Sequence, residues 1–506
     1  MDSMLRRLFA GFGLSAGIVV VTMVAQVVSV PVLLTHWGAI TYGEWLVLTN
    51  LASSLSIMNL GVQSYVCNLL ISSYVKGEIE NGTRLLHSAL LLYILFTGVA
   101  VLVVFIFALS PGLLVWMKVE QIPALDGHII LVIFGSMATY AISGGLLLSL
   151  FQVTKQMPRQ LMYGLMERTI IMYSPMIVAF LGGQPVAAAI AMVISMCCLI
   201  VVELRDVWIH SPFPIGLSQA DWSLSLSFIR PGLTFFSVSL AGLMVSTGIT
   251  LLIANQAGGK FVAIFSTTLL LGNLVRTLIN QGMNVLWPEI TGMAALKDDT
   301  GRLSRWYLLL LKLVSAFVLI CMLGICALGG DILMIWTRGR IEVSPVLNLL
   351  LAIYLVVQAP ILVGAAFGLA LNRQADLLKT QFVAGCITLS LGVLFIHQYG
   401  LNGAAFALIA GQASIVLWLS KMVCNWIEAA WGSFLLKTFS RLILVTIPVM
   451  VSSIALIASP LGLSSKAFCV AGLTGAIVFI CWVYWLMPEE KNLLRSTVLA
   501  LIQRRY

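Results

Sequence analysis

One polar stripe interrupts an apolar segment of this 506-residue chain. Asn273, Arg276 and Asn280 recur at intervals of three and four residues, which places them on one face of a predicted helix. A guanidinium group offers a planar fork of donors, so this face suits an anionic group such as a phosphate or pyrophosphate. An arginine inside a membrane-length segment costs about 2.5–3.5 kcal/mol on insertion scales. The stripe therefore predicts the wall of a water-filled cavity.

Four further charged residues lie in or against predicted helices. Arg168 and Arg230 are candidate contacts for the same anionic group, and a purely structural role stays open for both. Glu167 is the acid that lies well inside a predicted span, so it is the candidate site of ion coupling. For Lys312 we expect the long side chain to reach the cytoplasmic interface.

Neutral polar residues form similar stripes on the predicted helices 1, 2 and 7. The candidate substrate-binding positions among them are Gln26, Asn59 and Gln63. These stripes favour either a cavity wall or hydrogen bonds between helices, and both interpretations stay open. The interiors of helices 1, 2, 7 and 8 contain no Asp or Glu, and Glu44 sits at the outer edge of helix 2. A pump for organic cations would need buried carboxylates, so this absence favours an anionic substrate.

The composition requires a membrane environment for these stripes. Apolar residues make up 60% of the chain and charged residues 9%, where a soluble domain carries about 25%. This balance excludes a cytosolic enzyme, a disordered chain and a nucleic-acid binder, and it predicts a polytopic membrane protein in contact with lipids. The nine Cys show no CxxC pairing, and we expect no metal and no cofactor. We expect no cleavable signal peptide and no enzyme, because no loop is long enough for a catalytic domain.

The hydropathy pattern predicts an all-α fold with about 14 transmembrane helices. The predicted spans are 12–34, 45–69, 86–109, 128–151, 161–182, 184–203, 232–254, 261–285, 306–328, 344–371, 378–397, 402–424, 440–458 and 467–487. Helices 5 and 6 are expected to share a tight turn at Gly182 and Gly183. Nineteen Lys and Arg fall in loops on the side of the N-terminus and five on the other side. This bias predicts that both termini are cytoplasmic.

The first half of the sequence recurs in the second at an offset of about 219 residues. The segment 111–116 aligns with 331–336, and Tyr42 with Phe261. Six helices per copy predict two six-helix lobes related by a pseudo-two-fold axis along the membrane normal, with the substrate site between them. The predicted domains are an N-lobe (1–203), a cytoplasmic linker (204–231), a C-lobe (232–424), helices 13 and 14 (425–487) and a cytoplasmic tail (488–506). Within the linker, DWSLSLSFIR is interpreted either as an interfacial helix or as plain linker.

Several segments resemble one transporter family. LLTHWGAITYGEWLVL with IMNLGVQSYV is similar to the first two helices of the polysaccharide (O-antigen type) flippases, which belong to the multidrug/oligosaccharidyl-lipid/polysaccharide exporter superfamily. LLIANQAGGKFVAIFSTTLLLGNLV and GGDILMIWTRGR resemble later segments of the same family. The family's usual acidic residue before the glycine of helix 2 is Asn59 here.

The resemblance implies a function beyond what the residues show. It implies a flippase that moves an undecaprenyl-pyrophosphate-linked oligosaccharide, an O-antigen or exopolysaccharide repeat unit, from the inner to the outer leaflet of a bacterial plasma membrane. It also implies alternating access driven by an ion gradient. The expected partner is this anionic lipid-linked glycan, and other membrane proteins of polysaccharide assembly are further candidates.

Two alternatives from other classes remain. The first is a multidrug antiporter of the same superfamily, against which the missing carboxylates of helices 1 and 7 argue. The second is a membrane glycan polymerase or ligase, which would need a substantial outer loop. The longest predicted outer loops, 110–127 and 329–343, are short.

Overall fold

The computed structural model describes residues 2–53, 62–154, 156–295, 300–371, 373–434, 440–459 and 461–480. Within these ranges the chain is built from helices and connecting turns. The helices of the first half are α1 (Asp2–Ser53), α2 (Val62–Lys76), α3 (Ile79–Leu109), α4 (Pro111–Trp116), α5 (Ala124–Val153), α6 (Met157–Phe180), α7 (Pro185–His210), α8 (Trp222–Ser227) and α9 (Ile229–Ala257). They are followed by α10 (Gly259–Ala295), α11 (Thr300–Trp336), α12 (Pro345–Ala370), α13 (Gln374–Trp426), α14 (Trp431–Phe434), α15 (Ser440–Ala458) and α16 (Leu463–Ile480).

Proline and glycine set the ends of several helices. Pro185 and Pro345 are the first residues of α7 and α12, where the missing backbone N–H would have no helical partner in any case. Gly182 has φ +84°, a conformation that ends α6 and turns the chain into α7. The expected tight turn between helices 5 and 6 is confirmed.

The all-α polytopic fold that the sequence predicts is confirmed. Among the described residues, eight helices are long and apolar enough to cross a membrane. Two of them, α1 and α13, each contain a non-helical glycine, Gly38 and Gly400, and therefore correspond to two predicted spans apiece. Large apolar side chains such as Phe180 (72% exposed) and Phe468 (82% exposed) cover the helix surfaces, as lipid-facing residues do.

The helix ends differ from the prediction where polar residues extend a helix beyond its apolar span. The third span was predicted from 86, but α3 begins at Ile79. The sixth was predicted to end at 203, but α7 continues to His210. Hydropathy predicts only the apolar part of a helix, whereas the helix itself extends as far as its backbone hydrogen bonds continue. Residues 54–61 of the predicted second span lie outside the described residues.

The chain divides into two compact units, Met1–Ser266 and Thr267–Tyr506. In the first unit, α1 packs against α5 and α6, and α2, α3 and α7 pack against α5. A buried apolar cluster that includes Leu92, Phe151 and Met196 joins these helices. In the second unit, α12 packs between α11 and α13, and α15 and α16 pack against α11.

The backbone turns repeat at the offset that the sequence shows. Gly38 (φ +79°, ψ 170°) and Gly258 (φ +90°) are 220 positions apart, and Gly258 also adopts an extended ψ of 173°. Lys118 (φ +51°) and Arg338 (φ +54°) are also 220 positions apart, although a left-handed conformation is uncommon for such residues. Gly182 and Gly400 follow at 218. The two copies therefore share turn geometry as well as sequence.

The segment after α7 is fixed to α3 by side chains. The ring of His87 accepts the backbone N–H of Gln219 at Nδ1 (3.1 Å) and lies with Nε2 3.0 Å from the carbonyl of Pro214. Arg84 forms an ion pair with Asp221, whose carboxylate also caps the short helix α8. These bonds lower the pKa of Asp221 below its usual range, with the hydrogen bond from Ser223 as the first cause and that from Arg84 next. The DWSLSLSFIR stretch thus begins with a six-residue helix held on α3.

Candidate functional site

The stripe of Asn273, Arg276 and Asn280 lies on α10, and Asn273 lines a crevice in the second unit. Arg276 and Asn273 are half-buried and Asn280 is exposed. The guanidinium of Arg276 interacts electrostatically with Tyr354 on α12. The Tyr354 hydroxyl accepts a 2.6 Å hydrogen bond from Gln358 Nε2, which leaves its own proton free to be donated.

The space beside this stripe is small. Asn273, Tyr354 and Gln358 line a crevice of about 10 Å³, close to what a single water needs. Within the described part of the chain, Arg276 forms no ion pair with a carboxylate. A half-buried cation that interacts electrostatically with a tyrosine can attract an anion, and an anion larger than a water would lie outside the crevice itself.

A larger cavity lies in the first unit. Its volume is about 240 Å³, and residues of α1, α5 and α6 line it. The polar lining residues are Gln26, Ser29, Tyr42, Trp45 and Thr49. Gln26 therefore lies on a cavity wall, in accord with one of the two interpretations of its stripe. The aromatic residues of this wall are not among the predicted site residues, because an isolated Trp or Tyr in an apolar segment does not indicate a binding site.

Two other predicted site residues, Gln63 and Arg168, have different environments, and two more lie wholly or partly outside the described residues. Gln63 Nε2 donates a 2.7 Å hydrogen bond to the carbonyl of Gly145, so this side chain joins α2 to α5. Arg168 is exposed on α6. Asn59 and the side chain of Arg230 lie outside the described residues, although Arg230 belongs to α9.

Glu167 is one member of a group of acidic and phenolic side chains. It interacts electrostatically with Tyr140 and with Glu203. The Tyr140 hydroxyl donates a 2.5 Å hydrogen bond to Glu203 Oε2, and Glu203 is 2% exposed. We call Tyr140, Glu167 and Glu203 the acidic cluster. One turn further along α7, Asp206 binds Arg159 (3.3 Å) and the hydroxyl of Tyr163 (2.9 Å).

Glu203 is not among the predicted site residues, because the predicted span ends there. In the structure α7 continues for two more turns, so Glu203 lies inside the helix and packs against α5. The spacing of Glu203 and Asp206, three residues apart on one helix face, was the available signal.

Two other charged side chains, Lys312 and Glu44, are buried in the structure. Lys312 is 2% exposed and therefore does not reach an aqueous interface within the second unit, contrary to the expectation. Glu44 is 1% exposed and accepts backbone N–H groups of Glu120, Gln121 and Ile122 at 2.8–3.2 Å. Its carboxylate holds the loop before α5 and is not open to a cationic ligand. The described residues contain no group of three or more His, Cys, Asp and Glu that could hold a metal ion.

Comparison with known proteins gives matches at the level of structure. No family model and no curated protein matches the sequence. An inward-facing multidrug resistance MATE family transporter of the MOP superfamily superposes with a TM-score of 0.61 at 13% identity, covering 83% of this chain and 96% of that chain. The lipid II flippase MurJ, in an inward closed conformation, gives 0.62 at 12% identity and covers 95% and 100%. The MATE multidrug transporter DinF-BH gives 0.58 at 12% identity and covers 83% and 97%.

These identities are low, so the likeness speaks for the fold and leaves the substrate open. The matches span nearly the full length of each transporter. They agree with the superfamily that the motifs of helices 1, 2, 7 and 8 resemble. The chain therefore has the fold of the transporters of the MOP superfamily, a multi-pass helical membrane fold.

Proposed function

We propose that this protein is a flippase for an undecaprenyl-pyrophosphate-linked oligosaccharide. The substrate is an O-antigen or exopolysaccharide repeat unit, moved from the inner to the outer leaflet of a bacterial plasma membrane by alternating access. Both termini are cytoplasmic in this proposal. The fold supports transport, and the sequence motifs support the glycan.

The observation that carries the proposal is Arg276. It lies on a helix long and apolar enough to span, next to Asn273, with a tyrosine hydroxyl nearby and no ion pair to a described carboxylate. Its cost in a bilayer is tolerable if it meets an anion during the cycle. A guanidinium and a phenol hydroxyl are donors that suit the oxygens of a pyrophosphate.

The acidic cluster supports coupling to protons. Two carboxylates that interact electrostatically on neighbouring helices favour a shared proton over two charges. Glu167 is half-buried and Glu203 is buried, so the cluster can pass between a charged and a neutral state as access to water changes. In this proposal Glu167 is the residue that exchanges the proton with solvent.

A multidrug antiporter is the second candidate. Several solved structures that superpose on this chain are multidrug transporters, and a cavity of the first unit has aromatic walls. Cationic drugs bind aromatic rings, but strong binding also calls for a carboxylate in the wall. None of the described residues that line the cavity is charged, which favours the flippase.

The two candidates are separated by one pair of assays on the same protein. Purified protein is reconstituted into vesicles with a fluorescent farnesyl-pyrophosphate-linked sugar, and the labelled lipid that becomes accessible to dithionite is followed. The same vesicles are tested for uptake of a cationic dye. We expect lipid movement that stops in Arg276→Ala, and no dye uptake. Dye uptake without lipid movement would establish the antiporter instead.

A further inference from the structure

The cavity of the first unit is a compartment that the arginine stripe does not explain. We define it by Gln26, Ser29, Tyr42, Trp45, Thr49 and Phe134, and call it the aromatic cavity. Its volume of about 240 Å³ is below the roughly 300–1,000 Å³ of pockets for drug-sized ligands. It has room for a single ring with its substituents.

The aromatic side chains form a continuous wall. Trp45 packs edge-on against Phe134, with ring centroids 5.2 Å apart, and Trp37 lies 5.2 Å from Trp45 on the other side. Trp45 and Tyr42 are each 5% exposed, so packing holds both rings in place. Because the rings of Trp45 and Phe134 are nearly perpendicular, one of them at a time can present its face to the face of a ligand ring.

The polar atoms of the wall are neutral. The Thr49 hydroxyl donates to the carbonyl of Trp45 (2.9 Å), and that of Ser29 donates to the carbonyl of Gln26 (3.2 Å). Each hydroxyl oxygen keeps acceptor capacity, and the Gln26 amide can both donate and accept. A ligand with several hydroxyl groups can donate to these hydroxyl oxygens and bond to the Gln26 amide, whereas a hydrocarbon tail would offer the amide no partner.

The repeat allows the cavity to be compared with the equivalent place in the described part of the second unit. The turns at Gly38 and Gly258 set an offset of 220 for this helix, one residue more than the alignment of Tyr42 with Phe261. At this offset Thr49 corresponds to Leu269 and Phe134 to Tyr354, and both Leu269 and Tyr354 line the crevice of about 10 Å³ in the second unit. Packing left imperfect by the fold itself would recur in the second copy. The cavity is therefore a consequence of the side chains that the first copy carries.

We propose that the aromatic cavity is a subsite for one neutral sugar ring. The C–H face of a pyranose matches the wall of Trp45 and Phe134, and its hydroxyl groups match Gln26, Ser29 and Thr49. The lack of charge among the described lining residues disfavours a phosphate and an organic cation alike. This inference rests on the proposed function, because the ring belongs to the transported lipid-linked glycan.

The test compares probes that differ in the sugar alone. Full-length protein in nanodiscs is titrated with farnesyl pyrophosphate and with farnesyl pyrophosphate that carries one glucose, galactose or N-acetylglucosamine. We expect at least one sugar-bearing probe to bind about tenfold more tightly than the bare one, the worth of one or two net hydrogen bonds. Thr49→Leu fills the cavity with the residue of the second copy and should abolish the difference. Thr49→Ser keeps the hydroxyl and should preserve it.

The outcomes separate this inference from the proposed function. Equal binding of all probes, or an unchanged sugar effect in Thr49→Leu, overturns the subsite and leaves the flippase standing. No binding of any farnesyl probe overturns the flippase and the subsite with it. Loss of a bound rhodamine-type cation in Thr49→Leu, with no sugar effect in the native chain, assigns the cavity to cations. Trp208→Leu, which changes a side chain 73% exposed on α7, should alter none of these affinities.

Discussion

The two copies of the repeat place different chemistry at equivalent positions. In the first unit, Phe134 and Thr49 line an open and uncharged cavity. In the second, their counterparts Tyr354 and Leu269 line a crevice of about 10 Å³ beside Arg276.

The difference shows that the two copies share the conformation of their backbone turns but differ in the side chains that line their cavities. The turns at Gly38 and Gly258, and at Lys118 and Arg338, have matching conformations 220 positions apart. A turn is fixed by backbone sterics, so most substitutions elsewhere leave it unchanged. A cavity depends on the volumes of a few side chains, so a difference such as that between Thr49 and Leu269 changes it. In our proposal one copy binds a sugar ring and the other binds the pyrophosphate.

The largest effect is expected for the charge of the second unit. Arg276→Ala should abolish glycan export in a deletion strain while the protein reaches its normal level in the membrane, because the pyrophosphate loses its cationic partner. Arg276→Lys should keep partial export if charge alone matters, and little if forked hydrogen bonds are needed. Arg340→Ala, at an exposed position, is the control. Full export by well-expressed Arg276→Ala protein would remove the anion site from the second unit.

The next effect concerns the acidic cluster, which the first copy alone carries at these positions. At the offset of 218, the counterparts of Glu167 and Glu203 are Gly385 and Lys421. Glu167→Gln should leave export independent of external pH, and Tyr140→Phe should shift the pH profile by removing a hydrogen bond to Glu203. Initial rates in vesicles with imposed pH gradients measure both. Unchanged pH profiles in both variants would exclude the cluster from ion coupling.

A smaller effect is expected when the second copy is made to resemble the first. Tyr354→Phe removes the hydroxyl that accepts from Gln358 and lies beside Arg276. A lost hydrogen bond to a charged ligand group is worth about 1.5–3 kcal/mol, so affinity for farnesyl pyrophosphate should fall at least about tenfold. Phe134→Tyr, the reverse change in the first unit, should leave that affinity unchanged. Equal losses in the two variants would mean that the copies do not divide the ligand as proposed.

The smallest effect is expected at a position outside both sites. Asp221→Asn removes the ion pair with Arg84 but keeps a side chain that can cap α8, so Tm at neutral pH should fall by about 2 °C or less. The folded-state pKa of Asp221 is lowered, so its contribution is present above the ordinary Asp pKa of about 3.9 and fades as the pH falls below it. The Tm difference between variant and native chain should therefore shrink on acidification. A difference that grows at low pH would contradict this account.

The sequence by itself determined the membrane class, the all-helical fold, the turn at Gly182 and the internal repeat. It also identified the stripe of Asn273, Arg276 and Asn280. These features are local, because hydropathy, helical periodicity and glycine turns each depend on residues close in the chain. The repeat needs only two stretches of the same sequence to be compared.

Tertiary packing decided which side chains meet. The aromatic cavity brings Trp45 and Phe134 together from helices separated by some ninety residues, and no periodicity marks that encounter. Packing of α5 on α7 buried Glu203 against Tyr140, and the fold of the loop before α5 occupied the carboxylate of Glu44 with backbone N–H groups. A polar residue in an apolar helix becomes a ligand, a proton carrier or a structural tie according to what the neighbouring helix presents, and that depends on contacts between residues distant in sequence.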